Sequence, residues 1–214
     1  AHTWVERAYV TNEGALIGDP GFTRGNVPRT QTFTDDTMTY RLPPPDRTSK
    51  ELSPQDLVCK ETQQTQNYTV ESPMLIARAN DSILLMYQEN GHVTLIGQDT
   101  AHNSSGSIII YGTSNSSATD NFQALQNDSS HFETLGRTDF DDGHCYQDNS
   151  TPLASERRAL PQRQHLDVEG NALWCTSEIS LPETLMPGST YTLYWVWYFN
   201  GPSEVYTSCL DVSI

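Results

Sequence analysis

The chain has 214 residues, of which 12 are Lys or Arg and 27 are Asp or Glu, giving a net charge of −15 with a sequence pI near 4.5. A surface this acidic repels the phosphates of nucleic acid and offers no basic patch to an anionic membrane, whereas a neutral partner such as a polysaccharide meets no such barrier. The length buries a substantial core within one domain spanning residues 1–214, and no apolar run approaches the roughly 20 residues of a spanning helix.

In chain order, short apolar or alternating runs recur at 4–10, 75–77, 83–87, 93–96, 108–111, 173–179, 191–199 and 205–214. Pro, Gly, Asn and Asp separate them, so they read as strands. The most helix-like stretch, 155–160, is short and basic. An all-β fold follows, an antiparallel β-sandwich with long loops. Two of those loops, 18–54 and 97–161, are long enough to carry function or disorder, and 115–130 reads as a mobile glycosylated surface loop. Pro43-Pro44-Pro45 reads as a stiff extended connector. Trp195 and Trp197 share one strand face and, with Trp4 and Trp174, are assigned to the core.

Six N-x-S/T sequons, at Asn67, Asn80, Asn103, Asn115, Asn127 and Asn149, favour a secreted, extracellular glycoprotein. Four cysteines, Cys59, Cys145, Cys175 and Cys209, form no closely spaced metal or redox pair, so they read as two structural disulfides with three pairings open.

The donor set that points to chemistry begins at His2. A histidine at the start of a chain offers a metal its imidazole and its own main-chain nitrogen, and His92 in Glu89-Asn90-Gly91-His92 supplies a second imidazole. Tyr206, in Glu204-Val205-Tyr206, adds a phenol. Nitrogen donors in a plane with a weak axial oxygen suit Cu(II). With Ala1 attached, the His2 nitrogen is an amide; the Ala1 amine, the deprotonated amide and the imidazole then form a different chelate. Glu204 and Gln88 are polar candidates for orienting an oxygen species beside copper, and Glu204 is the candidate acid. Glu89 reads as a polar strand-end residue, and Arg24 and Arg29, flanking a Gly and Pro loop, as solvated. His102, His131, His144 and His165 lie in polar, loop-like surroundings and read mostly as surface residues, with Asp141-Asp142-Gly143-His144-Cys145 a tight acidic turn that also has a metal reading.

Several segments in order resemble the fungal lytic polysaccharide monooxygenases. They are His2-Thr3-Trp4, then Ser53-Pro54-Gln55-Asp56-Leu57-Val58-Cys59, then Gly91-His92, then Met186-Pro187-Gly188-Ser189-Thr190-Tyr191, and finally Glu204-Val205-Tyr206-Thr207-Ser208-Cys209. The chain departs from that pattern in the strand Tyr194-Trp195-Val196-Trp197-Tyr198, which lacks the expected histidine, and at Glu204, which stands where a glutamine is expected. A nearly end-to-end resemblance joins the chain to a family of secreted fungal proteins of unassigned function, carried by Pro20-Gly21-Phe22-Thr23-Arg24-Gly25-Asn26, Cys59-Lys60-Glu61-Thr62-Gln63-Gln64 and Tyr87-Gln88-Glu89-Asn90-Gly91-His92 among others.

These resemblances imply an immunoglobulin-like β-sandwich, disulfides joining Cys59 to Cys209 and Cys145 to Cys175, and copper held by a histidine brace of His2 and His92 with Tyr206 axial. The function expected is a secreted, monomeric, copper-dependent monooxygenase that oxidatively cleaves polysaccharide. The competing expectations are a copper-binding protein without that activity and a metal-free cell-wall glycoprotein.

Overall fold

The computed structural model describes residues 2–98, 102–161 and 172–214. Its strands are β1 (Val5–Asn12), β2 (Ala15–Gly21), β3 (Arg41–Leu42), β4 (Leu75–Ile76), β5 (Ser82–Tyr87), β6 (Ser107–Thr113), β7 (Glu133–Asp139), β8 (Cys175–Ser180), β9 (Thr190–Tyr198) and β10 (Val205–Ser213), with helices α1 (Phe122–Asn127) and α2 (Pro152–Ala159). One antiparallel sheet runs β2-β1-β5-β8; the other runs β3-β10-β9-β6-β7, and β4 joins it parallel to β10. Among the described residues no helix is long and apolar enough to cross a membrane.

The two sheets face each other across a core of Val5, Leu85, Ile110, Leu193, Trp195, Trp197, Tyr206 and Leu210. Alternation sends Tyr194 and Val196 to the opposite side of β9, yet they are buried as well. Phe122 and Leu125 of α1, with Val58, Phe132 and Leu42, form a second apolar layer over that side. This layer corrects the expectation of a mobile loop at 115–130. Asn121 caps α1 by accepting from the Ala124 amide at 2.9 Å, and the two apolar residues on its inner side hold it down. The most helix-like stretch, 155–160, overlaps a helix that starts earlier, where the Thr151 hydroxyl accepts the Ala154 amide at 3.2 Å and Pro152 opens the first turn.

The expected strand at 93–96 is instead a series of turns. A carboxylate supplies the reason: Glu89, expected as a strand-end residue, is 2% exposed and accepts the amides of Val93 at 2.8 Å and Gln147 at 2.8 Å, together with the Thr94 hydroxyl. An amide held by a buried carboxylate is not available to a ladder. The implied disulfides, Cys59–Cys209 and Cys145–Cys175, are both present.

Candidate metal centre

The candidate residues gather at one end of the sandwich, where β1 begins and β5 and β9 finish. Val5 pairs with Tyr87 of β5, and its amide donates to the Ser208 hydroxyl of β10 at 3.1 Å, so the chain start lies across both sheets. The Thr3 hydroxyl donates to the Gln88 carbonyl at 2.6 Å. Immediately afterwards Asn90 and Gly91 take left-handed backbone angles, φ of 45° and 80°, and turn the chain back so that the His92 amide meets the Glu89 carbonyl at 2.8 Å. The Asn90 side-chain amide donates to the His2 carbonyl at 2.6 Å, which ties the two histidine segments together.

The two imidazoles have different surroundings. The His92 ring lies 4.8 Å edge-on from Phe199 and 5.2 Å from Trp197. The His2 side chain is half exposed, and its Nε2 sits 3.0 Å from Asp35 Oδ2. Tyr206 packs on the same indole, 5.0 Å from Trp197, and its hydroxyl donates to Glu204 Oε1 at 2.7 Å. Burial, then the hydrogen bond to Glu204 and its charge, push the Tyr206 phenol above its ordinary value, so it stays neutral.

Glu204 is 8% exposed. Its Oε2 lies 3.4 Å from His102 Nε2 and its Oε1 lies 3.7 Å from an Arg41 guanidinium nitrogen. His102 stacks on Phe199 at 4.1 Å, which corrects its assignment to the surface. No local pattern marks His102 in the sequence, because only the closure of the sandwich sets it against a carboxylate from β10's leading turn. Gln88 belongs to a neighbouring group: its amide donates to Glu6 at 2.9 Å, and Glu6 pairs with Arg29, whose guanidinium lies 5.0 Å over Trp4.

Tyr206 and Glu204 are therefore joined directly, His92 and Tyr206 share one indole, and His2 is bound by its main chain to the His92 turn. The donors present fit copper. Histidine chelates through Nδ1 and its own main-chain nitrogen in a six-membered ring, and the Asp35 contact involves the other ring nitrogen.

The remaining candidates resolve as structure. Arg24, expected in solvent, is 2% exposed and grips Asp211 with two bonds of 2.7 and 2.6 Å. In the acidic turn, Asp141 is bound twice by Arg157 at 2.7 Å, Asp142 accepts the amides of His144 and Cys145 at 2.8 and 2.9 Å, and the Cys145 sulfur is spent in its disulfide. His131 lies 3.8 Å from Asp120, while His165 and Ala1 lie outside the described residues. Among the sequons, Asn67, Asn80, Asn103, Asn115 and Asn127 are exposed. Asn149 is tied down, its Nδ2 donating to Thr94 at 2.8 Å and its Oδ1 accepting from the Thr151 hydroxyl at 2.7 Å.

The fold defines an antiparallel, two-disulfide β-sandwich. Residues 1–214 match the family described as a domain of unknown function (DUF7492), and the chain belongs to that family. No curated protein matches it. Among solved structures it is similar to CvAA9A, with 16% identity and a TM-score of 0.45 over 99% of this chain and 78% of that one. A cellulose-active polysaccharide monooxygenase from M. thermophila matches with 14% identity and a TM-score of 0.44, over 99% of this chain and 77% of that one. The cellulose-active LPMO CelS2, solved in complex with copper, matches with 12% identity and a TM-score of 0.37 over 68% of this chain, which spans 55% of that structure.

Proposed function

We propose that this protein is a secreted, single-domain, monomeric copper protein of the lytic polysaccharide monooxygenase type, oxidatively cleaving glycosidic bonds in a polysaccharide. The observation that carries the reading is the Asn90 bond of 2.6 Å to the His2 carbonyl, which ties the His2 main chain to the turn that bears His92. The order of motifs in the sequence, from His2 through Gly91-His92 to Tyr206 and Cys209, supports it independently.

In this reading His2 and His92 would hold copper, and Tyr206 would be a further donor beside it. Bound copper supplies one-electron redox chemistry, which activates dioxygen or peroxide for hydrogen abstraction from a glycosidic carbon. The protein's own groups set the conditions. Trp197 and Phe199 wall the His92 ring and keep water from that side. Tyr206 keeps its proton on Oη and gives it to Glu204 as a hydrogen bond, so the phenol remains a weak neutral neighbour of the metal. Glu204 is the group assigned to pass on a proton taken up from solvent at Oε2, with His102 beside it, and Gln88 is assigned to hydrogen-bond the oxygen co-substrate from the β5 end.

One observation favours the second reading, a copper-binding protein without polysaccharide activity. Glu204 is already engaged by Tyr206, His102 and Arg41, and the Gln88 amide by Glu6. Copper titration by calorimetry and electron paramagnetic resonance tests the shared core of both readings: wild type takes up one Cu(II) tightly, and His2→Ala and His92→Ala each lose that uptake. Unchanged uptake in either variant removes the brace. Incubation with a reductant, peroxide and a panel of glycans then separates enzyme from binder, because oxidised oligosaccharides appear only for the enzyme.

A further inference from the structure

We propose that Asp35 is the positioning residue for His2, fixing the imidazole by accepting from its Nε2–H and so presenting an unprotonated Nδ1 to the metal; the inference rests on the copper reading above. Asp35 Oδ2 lies 3.0 Å from His2 Nε2. In a neutral imidazole one nitrogen carries the proton and the other the lone pair, so a carboxylate at Nε2 places the proton there. The nitrogen left bare is Nδ1, the one able to close a six-membered ring with the main-chain nitrogen of the same residue. This holds whether that nitrogen is an amine or, with Ala1 in place, a deprotonated amide. Histidines that ligate metals commonly donate their second ring N–H to a carboxylate, which orients the ring and raises its basicity.

The carboxylate is held on an anchored turn. Asp35 opens the single 3-10 turn Asp35–Thr37, and its carbonyl accepts the amides of Met38 at 3.0 Å and Thr39 at 2.8 Å. Met38 is 1% exposed and nails the turn to the protein. From the other side the Lys60 ammonium donates to the carbonyls of Thr37 and Thr39 at 2.9 and 3.1 Å, and to that of Asp36. Lys60 follows Cys59, whose disulfide to Cys209 is on the strand that carries Tyr206. The Asn90 bond to the His2 carbonyl fixes the other end of the residue. The His2 ring is thus placed between two anchors, one on its main chain and one on Nε2.

The experiment compares wild type, Asp35→Ala and Asp35→Asn in two measurements. Nitrogen-15 chemical shifts of the His2 ring in the metal-free protein read the tautomer, and calorimetric Cu(II) titration with paramagnetic resonance spectra reads the metal. In wild type the ring is expected mainly as the Nε2–H form. Asp35→Ala is expected to lose that bias, to weaken Cu(II) binding by about tenfold or more, and to change the copper hyperfine pattern. Asp35→Asn, which keeps an acceptor oxygen, is expected to recover most of both. A tautomer or an affinity unchanged in Asp35→Ala overturns the inference while leaving the copper reading standing. Absence of Cu(II) uptake by wild type overturns the copper reading itself, and the role of Asp35 with it.

Discussion

A buried carboxylate stands near each end of strand β10, Glu204 just before it and Asp211 within it, and the two are built differently. At the far end Asp211 is fully buried, and its oxygens take both prongs of Arg24, the Thr192 hydroxyl at 2.6 Å and the Tyr68 hydroxyl at 3.0 Å. The guanidinium spends its other donors on the Gln63 and Gln64 carbonyls and on the Ser116 and Thr192 hydroxyls. Burial works against the charge on Arg24, but the bonds and field of Asp211 outweigh it and hold the guanidinium above its ordinary value. At the near end Glu204 has one short bond, from Tyr206, and two looser neighbours, His102 at 3.4 Å and the 31% exposed Arg41 side chain at 3.7 Å. A network with every donor satisfied has one arrangement; a carboxylate with loose neighbours can exchange them. The far end fixes the fold, and the near end is the less tightly held of the two.

The comparison breaks most readily at Asp211. Asp211→Ala leaves the Arg24 charge buried and unpaired and is expected to cost about 3–5 kcal/mol, measured by urea denaturation. A loss below about 1 kcal/mol would mean that water enters this end and that the two groups are not different in kind.

How much of this was readable in advance follows the same division. Strands such as β5, β9 and β10 were legible because each is a short run rich in apolar, aromatic and β-branched residues. Strand β7, with the sequence ETLGRTD, was missed because it lies at a sheet edge and is mostly exposed, so it needs little apolar content. Strand β2 was hidden by the Asp-Pro-Gly at its end, which reads as a turn. Arg24 was misjudged because its partner lies 187 residues away, and a lone arginine in a Gly and Pro loop carries no sign of it. His2, His92 and Tyr206 stood out only through their ordered motifs. Asp35 and His102 had no such marker, since the partner of each is brought to it by folding.

Glu204→Ala sharpens the contrast from the other side. It leaves the Tyr206 hydroxyl buried without its acceptor, a loss of about 1–3 kcal/mol, while Arg41 and His102 retain access to water. Glu204→Gln keeps an acceptor oxygen at the same reach and is expected to cost less than Glu204→Ala in the same urea measurement. If Glu204→Ala proves as costly as Asp211→Ala, the near end is as closed as the far one and its neighbours are not exchangeable.

The smallest effect is in alkali, where each end contributes one tyrosine. Burial, followed by the Glu204 bond, raises the Tyr206 phenol; burial, followed by the field of Asp211, raises that of Tyr68. In the unfolded chain a phenol ionises near pH ~10. A folded-state value above that means both groups contribute their full stability below about pH 10 and lose it as the pH climbs towards the folded value. Urea midpoints should therefore fall above about pH 10, with the tyrosinate absorbance of these two phenols rising as unfolding proceeds. Tyr206→Phe removes one ionising group and should make that alkaline fall shallower, at a cost near neutrality of about 1 kcal/mol for the lost bond to Glu204. Tyr68→Phe should cost more near neutrality, because its oxygen both donates to Asp211 and accepts the Asp211 amide at 2.7 Å. Equal neutral costs for the two variants would place the near-end phenol in as rigid a network as its far-end counterpart, which is the opposite of what a site open to a ligand needs.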